Sequence, residues 1–192
     1  MATTTRVPQA EITGIFGAVV KYFSKRRFGQ VPESLGVLWH NQPVLKALFG
    51  FSGKAEKWNA CDPQLKSFAH MATASIVGCS FCLDLGYFKA YNENLDLEKA
   101  REIPRWRESD IFTPLERDVL EYAEAMAQTP PTVTDELSGR LLERLGAPAL
   151  VELTGYIAAA NMVSRSNVAL GIESEGFSTS CGLRPLATPS TT

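Results

Sequence analysis

One stretch limits the possible folds more than any other: from Ala149 to Leu170 the chain is apolar on nearly every side of a helical wheel. Gly146 and Pro148 punctuate its start. Its most apolar part, Ala147 to Val163, carries Glu152 and Asn161 and falls short of the roughly 20 residues that a bilayer span requires. A helix of this kind is expected at the centre of a bundle, surrounded by other helices.

The rest of the chain supplies those helices. Ile12, Ile15, Phe16, Val19, Val20 and Phe23 recur at helical spacing, with Lys25, Arg26 and Arg27 gathered before Gly29. Asn41 and Pro43 open a second helix, expected to end at Gly50 and Gly53. Asp62 and Pro63 open a third, which carries Leu65, Phe68, Ala69, Ala72 and Ile76 as far as Gly78. The run CSFCLDLGYFKAY starts the next, with Cys79 at its first turn. Thr113, Pro114 and Glu116 form a capping-box start, and Pro130 and Pro131 stop the helix that follows. Leu137, Leu141 and Leu145 repeat every four residues up to Gly146. Strand-period alternation of useful length is absent, so the class is all-α.

With 192 residues, 45% of them hydrophobic, the chain suits a single domain over 1–192. The Ser-, Thr- and Pro-rich segment at 177–192 reads as a loosely held tail. A net charge of −2 gives no basic field to attract nucleic acid, and no membrane partner is expected. Met1 to Ala10 lacks a basic region followed by an apolar one, which makes the cytoplasm the expected compartment. The run GFSGK at 50–54 lacks phosphate-loop spacing and is set aside.

Chemistry concentrates at Cys79 and Cys82. The other two cysteines, Cys61 and Cys181, are isolated in sequence. At a helix start, free backbone N–H groups and the helix dipole favour a thiolate, and can lower a cysteine pKa from about 8.5 into roughly the 3.5 to 7.5 range. A partner three residues on lies on the same face and can close a disulfide. Two other readings stand beside redox chemistry. A zinc site would need ligands beyond this pair, yet Cys61, Cys181, His40 and His70 are scattered singly; inert core cysteines are the other alternative. No metal or bound cofactor is expected.

The run HMATASIVGCSFCLDLGYFKA, the capped helix from Thr113 and the terminal NMVSRSNVALGI together resemble the carboxymuconolactone decarboxylase and alkylhydroperoxidase-D superfamily. The resemblance covers about residues 44–172 and leaves 1–43 as an added N-terminal helical region. It implies an alkylhydroperoxidase-D-like helical bundle with the CxxC at a helix N-terminus, assembled as a trimer or larger ring. It also implies a peroxidase in which Cys82 attacks a small hydroperoxide and Cys79 resolves the sulfenic acid as a disulfide. A thioredoxin-like or lipoyl-type partner would re-reduce the pair.

The family pattern adds a glutamate twelve residues before the first cysteine and a histidine four after the second, together forming a proton relay. Ser67 and Gly86 stand there instead, and neither is a base. His70, one turn beyond Ser67 on the same predicted helix, is a candidate substitute with an ordinary pKa near 6.5; a packing or capping histidine is the alternative.

The remaining polar residues get plainer readings. Asp84 is expected as a solvated or interface carboxylate, and Tyr87 as pocket wall. On the last helix Asn161, Arg165 and Asn167 are polar where the pattern is otherwise apolar: Arg165 is expected in an ion pair with a carboxylate, or with Asn161 lining the site or an intersubunit contact. Trp39, His40 and Asn41 read as a pocket edge or a capped turn. The function expected is a hydroperoxide-reducing thiol enzyme. The alternatives are an oligomeric ligand-binding protein with a vestigial pair and a carboxymuconolactone-decarboxylase-like enzyme acting on a small acid.

Overall fold

The structure, a computed structural model, describes residues 5–189, and all regular structure among them is helical. The helices are α1 (Gly14–Phe28), α2 (Glu33–Leu38), α3 (Gln42–Ala55), α4 (Pro63–Val77), α5 (Ser80–Asn92), α6 (Leu97–Glu102), α7 (Pro114–Ala127), α8 (Asp135–Leu145), α9 (Ala147–Leu170) and α10 (Phe177–Ser180). A 3-10 turn, Ile103–Glu108, follows α6. None of the described helices is long and apolar enough to cross a membrane.

The helix at the centre is α4, which packs against α5, α7 and α9. Its small residues Ala69, Ala72, Thr73 and Ala74 are fully buried and let those neighbours approach closely. The apolar α9 is placed differently from the sequence expectation. Leu153, Ile157, Ala160, Ser164 and Asn167 face inward, while Val151, Met162 and Val168 remain exposed. Glu152 finds its partner within the fold: Lys66 of α4 donates to it at 2.8 Å, and both side chains are buried.

The caps act as the sequence indicates. Asp62 Oδ1 accepts from the amides of Gln64 and Leu65 to start α4. Thr113 and Glu116 make both capping-box bonds at α7. Two segments differ. The α3 helix runs through Gly50 and Gly53 to Ala55, because buried Leu45 and Ala55 anchor it at both ends against a glycine penalty of about 1 kcal/mol each. The segment after Gly176, expected to be loose, is held along 177–189: Phe177 is buried, Arg101 Nε donates to the Pro185 carbonyl, and Ala187 N–H donates to Arg101. Residues 190–192, at the end of that expected tail, lie outside the described residues.

Candidate active site

The turn between α4 and α5 places the thiol pair. Gly78 ends α4 at φ 78°, a left-handed conformation that suits glycine, and the chain enters α5 one residue later. Cys79 is thus the N-cap of α5 rather than a residue of its first turn. Its sulfur takes the place that a serine or aspartate oxygen usually holds, accepting the Cys82 N–H at 3.2 Å. Cys82 is the third helical residue, so both side chains lie over the same helix end.

Both cysteines are free thiols and almost completely buried. The Cys82 thiol and backbone N–H together hold the Cys79 pKa down to about 7, against the opposing effect of burial. Cys82, the donor within the pair, is pushed upward by that hydrogen bond, by burial and by the charge on Cys79. Accepting the Cys82 N–H at the helix N-terminus, Cys79 is the sulfur of the pair whose thiolate form its surroundings favour. Two α9 residues complete the surroundings: Asn167 Nδ2 donates to Cys82 Sγ at 3.3 Å, and the buried Ser164 hydroxyl favours the charged form of both sulfurs.

Asp84 encloses this end of the fold. Far from being solvated, it is 5% exposed and accepts four hydrogen bonds, from Ser174 Oγ, Phe177 N–H, Ser178 N–H and Ser178 Oγ. These bonds fasten the start of α10 across α5, and Phe177 packs against Phe28, Phe81 and Phe88 in the cluster that also contains both sulfurs.

A pocket of about 430 Å³ opens beside α4 and α5. Ser67, His70, Gly86, Lys89 and Tyr156 line it, together with Trp58, Cys61 and Lys66. Cys61 is held firmly as a thiol, with its pKa pushed up to about 11 by burial and by nearby Glu152. Lys89 pairs with Glu56 at 2.9 Å. The three positions singled out in the sequence, Ser67, His70 and Gly86, thus share one wall, while Tyr87 is packed in the main core instead.

His70 does not have the acid–base character the sequence suggested. Burial and the positive charge of Lys89 lower its pKa from 6.5 to about 4, outweighing the Cys82 backbone carbonyl and Glu56. It is a neutral imidazole at neutral pH and too weak a base to take a thiol proton. Gly86 also has a structural reason. A Cβ there would meet Met71 Cγ at 2.7 Å, and Met71 is fully buried. A histidine at position 86 has no room in this packing.

The neutrality of His70 has a measurable consequence. Its folded pKa lies below its unfolded one, so the unfolded chain takes up the proton first. The associated stability is present above pH 6.5 and lost as pH falls through about 4. The expected loss across this window is on the order of 2 kcal/mol. His70→Gln should remove that part of the pH dependence, as read by denaturant unfolding at neutral and mildly acidic pH; parallel profiles for the two proteins would contradict it.

Other polar residues have structural roles. Among the described residues Arg165 meets no carboxylate; it donates to Asn161 Oδ1, the Ala127 carbonyl and Thr129 Oγ1, tying α9 to the end of α7. Trp39 stacks on Phe16, His40 Nε2 is 2.8 Å from the Pro8 carbonyl, and Asn41 caps α3, which makes this segment a capped turn. Among the described residues, no group of three or more His, Cys, Asp or Glu is arranged to hold a metal ion.

Comparison with known proteins places this arrangement in a family. Residues 42–125 match the model of the carboxymuconolactone decarboxylase family. The uncharacterized protein YnjA of Escherichia coli (strain K12) is 34% identical over 158 residues, covering 81% of this chain and 86% of YnjA. Two solved structures each superpose with a TM-score of 0.77, over 92% of this chain and 96% of theirs. One is the debrominase Bmp8 in complex with 2,3,4-tribromopyrrole, 18% identical. The other is an uncharacterized peroxidase-related protein from Ralstonia eutropha JMP134 with the alkylhydroperoxidase AhpD core, 16% identical. At these identities the structural likeness is one of fold. Together with the family-model match and the extent of the likeness to YnjA, it supports one conclusion: the chain belongs to the carboxymuconolactone decarboxylase and alkylhydroperoxidase-D-like superfamily.

Proposed function

We propose that the protein is a thiol-dependent peroxidase or closely related disulfide oxidoreductase that reduces small hydroperoxides through Cys79 and Cys82. The observation that carries this reading is the hydrogen-bonded thiol pair at the α5 N-terminus, with Cys79 near pKa 7. A sulfur in this state is charged in a large fraction of molecules at neutral pH, and the thiolate is the reactive form.

The chemistry balances without a separate base. The Cys79 thiolate attacks the terminal peroxide oxygen, the O–O bond breaks, and a sulfenic acid and an alkoxide result. The alkoxide takes the proton of the adjacent Cys82 thiol. The Cys82 thiolate then attacks the sulfenic sulfur, giving the Cys79–Cys82 disulfide, while hydroxide leaves and is protonated to water. Two thiols are oxidised and one hydroperoxide is reduced to an alcohol and water. A dithiol of the thioredoxin-like or lipoyl-type class restores the pair. This assignment makes Cys79 the attacking sulfur and Cys82 the resolving one, the reverse of the roles implied by family resemblance. His70 enters as a neutral pocket residue beside the pair.

The cycle requires a reducing compartment, for which we take the cytoplasm. We also propose a homo-oligomer. Ile15, Val19, Tyr22 and Phe23 on α1 and Val151 and Met162 on α9 are large apolar side chains left exposed, the kind of surface a subunit contact covers.

A second reading, reductive removal of halogen from a small aromatic compound, is favoured by the aromatic pocket walls Trp58 and Tyr156. The decisive assay follows consumption of an organic hydroperoxide and, separately, halide release from a bromopyrrole, each with a dithiol reductant. Hydroperoxide turnover is expected. Halide release alone would replace the first reading with the second, and inactivity in both would leave the pair without a catalytic role.

A further inference from the structure

One polar group beside the sulfurs makes no conventional hydrogen bond. Ser164 on α9 is 0% exposed, and among the described residues its hydroxyl has no hydrogen-bond partner, yet it lies near enough to both sulfurs to favour their charged forms. Burying a hydroxyl in that way is costly, so packing alone would favour alanine there. Toward its C-terminal half the inward face of α9 passes from Leu153, Ile157 and Ala160 to Ser164 and Asn167, and Asn167 reaches Cys82. The two family relay positions, Ser67 and Gly86, meanwhile carry neither acid nor base.

We propose that Ser164 and Asn167 are positioning residues that take the place of the absent relay, donating hydrogen bonds to whichever sulfur of the Cys79–Cys82 pair carries the negative charge. The proposal rests on reading the pair as redox-active. In that cycle the charge sits first on Cys79 and, once the alkoxide has taken the Cys82 proton, on Cys82. A hydroxyl can rotate its one proton from one sulfur to the other, and an amide offers two N–H groups; a buried carboxylate would instead repel both charges. Both residues favour the thiolate form of both sulfurs, as shifting donors should.

The test is titration of the reduced full-length protein by ultraviolet thiolate absorbance from about pH 5 to about pH 10. The Cys79→Ser/Cys82→Ser double variant provides the baseline that removes Cys61 and Cys181, and thermal unfolding is measured in parallel. Ser164→Ala and Asn167→Ala are each expected to raise the first thiol midpoint by about half to one pH unit, a roughly three- to tenfold loss of thiolate well below the midpoint. Ser164→Thr, which keeps the hydroxyl, should restore the wild-type midpoint. Because Ser164→Ala removes an unsatisfied buried group, it should be at least as stable as the wild type while its thiols become weaker acids; a purely structural serine would not separate the two readouts. A folded Ser164→Ala protein with an unchanged midpoint overturns the proposal. The titration contains no hydroperoxide, so its failure and failure of the peroxidase reading are distinguishable.

Discussion

Cys79→Ser is expected to eliminate both steady-state turnover and the first stoichiometric reaction with hydroperoxide, whereas Cys82→Ser is expected to eliminate only turnover. In each variant the steady-state rate should fall by about 10³-fold or more, as expected when a nucleophile or its resolving partner is removed. The difference follows from the local geometry. In Cys82→Ser, Cys79 keeps the helix N-terminus, the residue 82 N–H and a hydroxyl donor, so its thiolate survives and traps one oxygen as a sulfenic acid. In Cys79→Ser, Cys82 loses the hydrogen bond and the charge by which Cys79 raises its pKa, but it stays buried in an apolar cluster, and that burial still disfavours its thiolate. Dimedone labelling followed by mass spectrometry reads the outcome. A sulfenic acid on Cys82 in the Cys79→Ser protein, and none in Cys82→Ser, would restore the roles implied by family resemblance.

Gly86→His, which reinstates the family residue, is expected to destabilise the protein instead of activating it. Helix propensity favours the change by at most about 1 kcal/mol. The new Cβ would meet buried Met71 at 2.7 Å and come within 3.4 Å of the His70 ring, before the imidazole itself is accommodated. Overpacking of this kind costs typically about 1–3 kcal/mol, and a side chain this large belongs at or beyond the upper end. A net loss of about 2 kcal/mol corresponds to a fall in Tm of about 4–8 °C for a chain of this size. Scanning calorimetry or thermal circular dichroism checks it. An unchanged Tm together with a faster peroxide reaction would show that the pocket can hold a relay after all.

Much of this was legible in the sequence because it depends on local rules. The caps at Asp62 and Thr113, the stop at Gly78 and the position of the CxxC follow from residue types within a few positions of one another. The all-α class follows from periodicity. What the sequence could not supply depends on contacts between distant segments. Asp84 appears solvated until residues 174–178 fold over it, and nothing near position 84 signals those four donors. His70 has an ordinary pKa on paper, but Lys89 from the next helix and its own burial change that. Ser164 and Asn167 lie 82 and 85 residues beyond Cys82 in the sequence, and only the packing of α9 brings them to the sulfurs. A polar interruption of an apolar helix was their one visible signal. The same helix also shows where hydrophobicity misleads: apolar residues all round α9 implied full burial, yet one face remains exposed in the single chain.

The most direct test of the account is the mass and thiol count of the Cys79–Cys82 peptide after one equivalent of an organic hydroperoxide at neutral pH. The account predicts rapid loss of two thiols together, a mass decrease of two hydrogens, a disulfide between Cys79 and Cys82, and one equivalent of alcohol. Persistence of both thiols, while the hydroperoxide remains unconsumed, would contradict it.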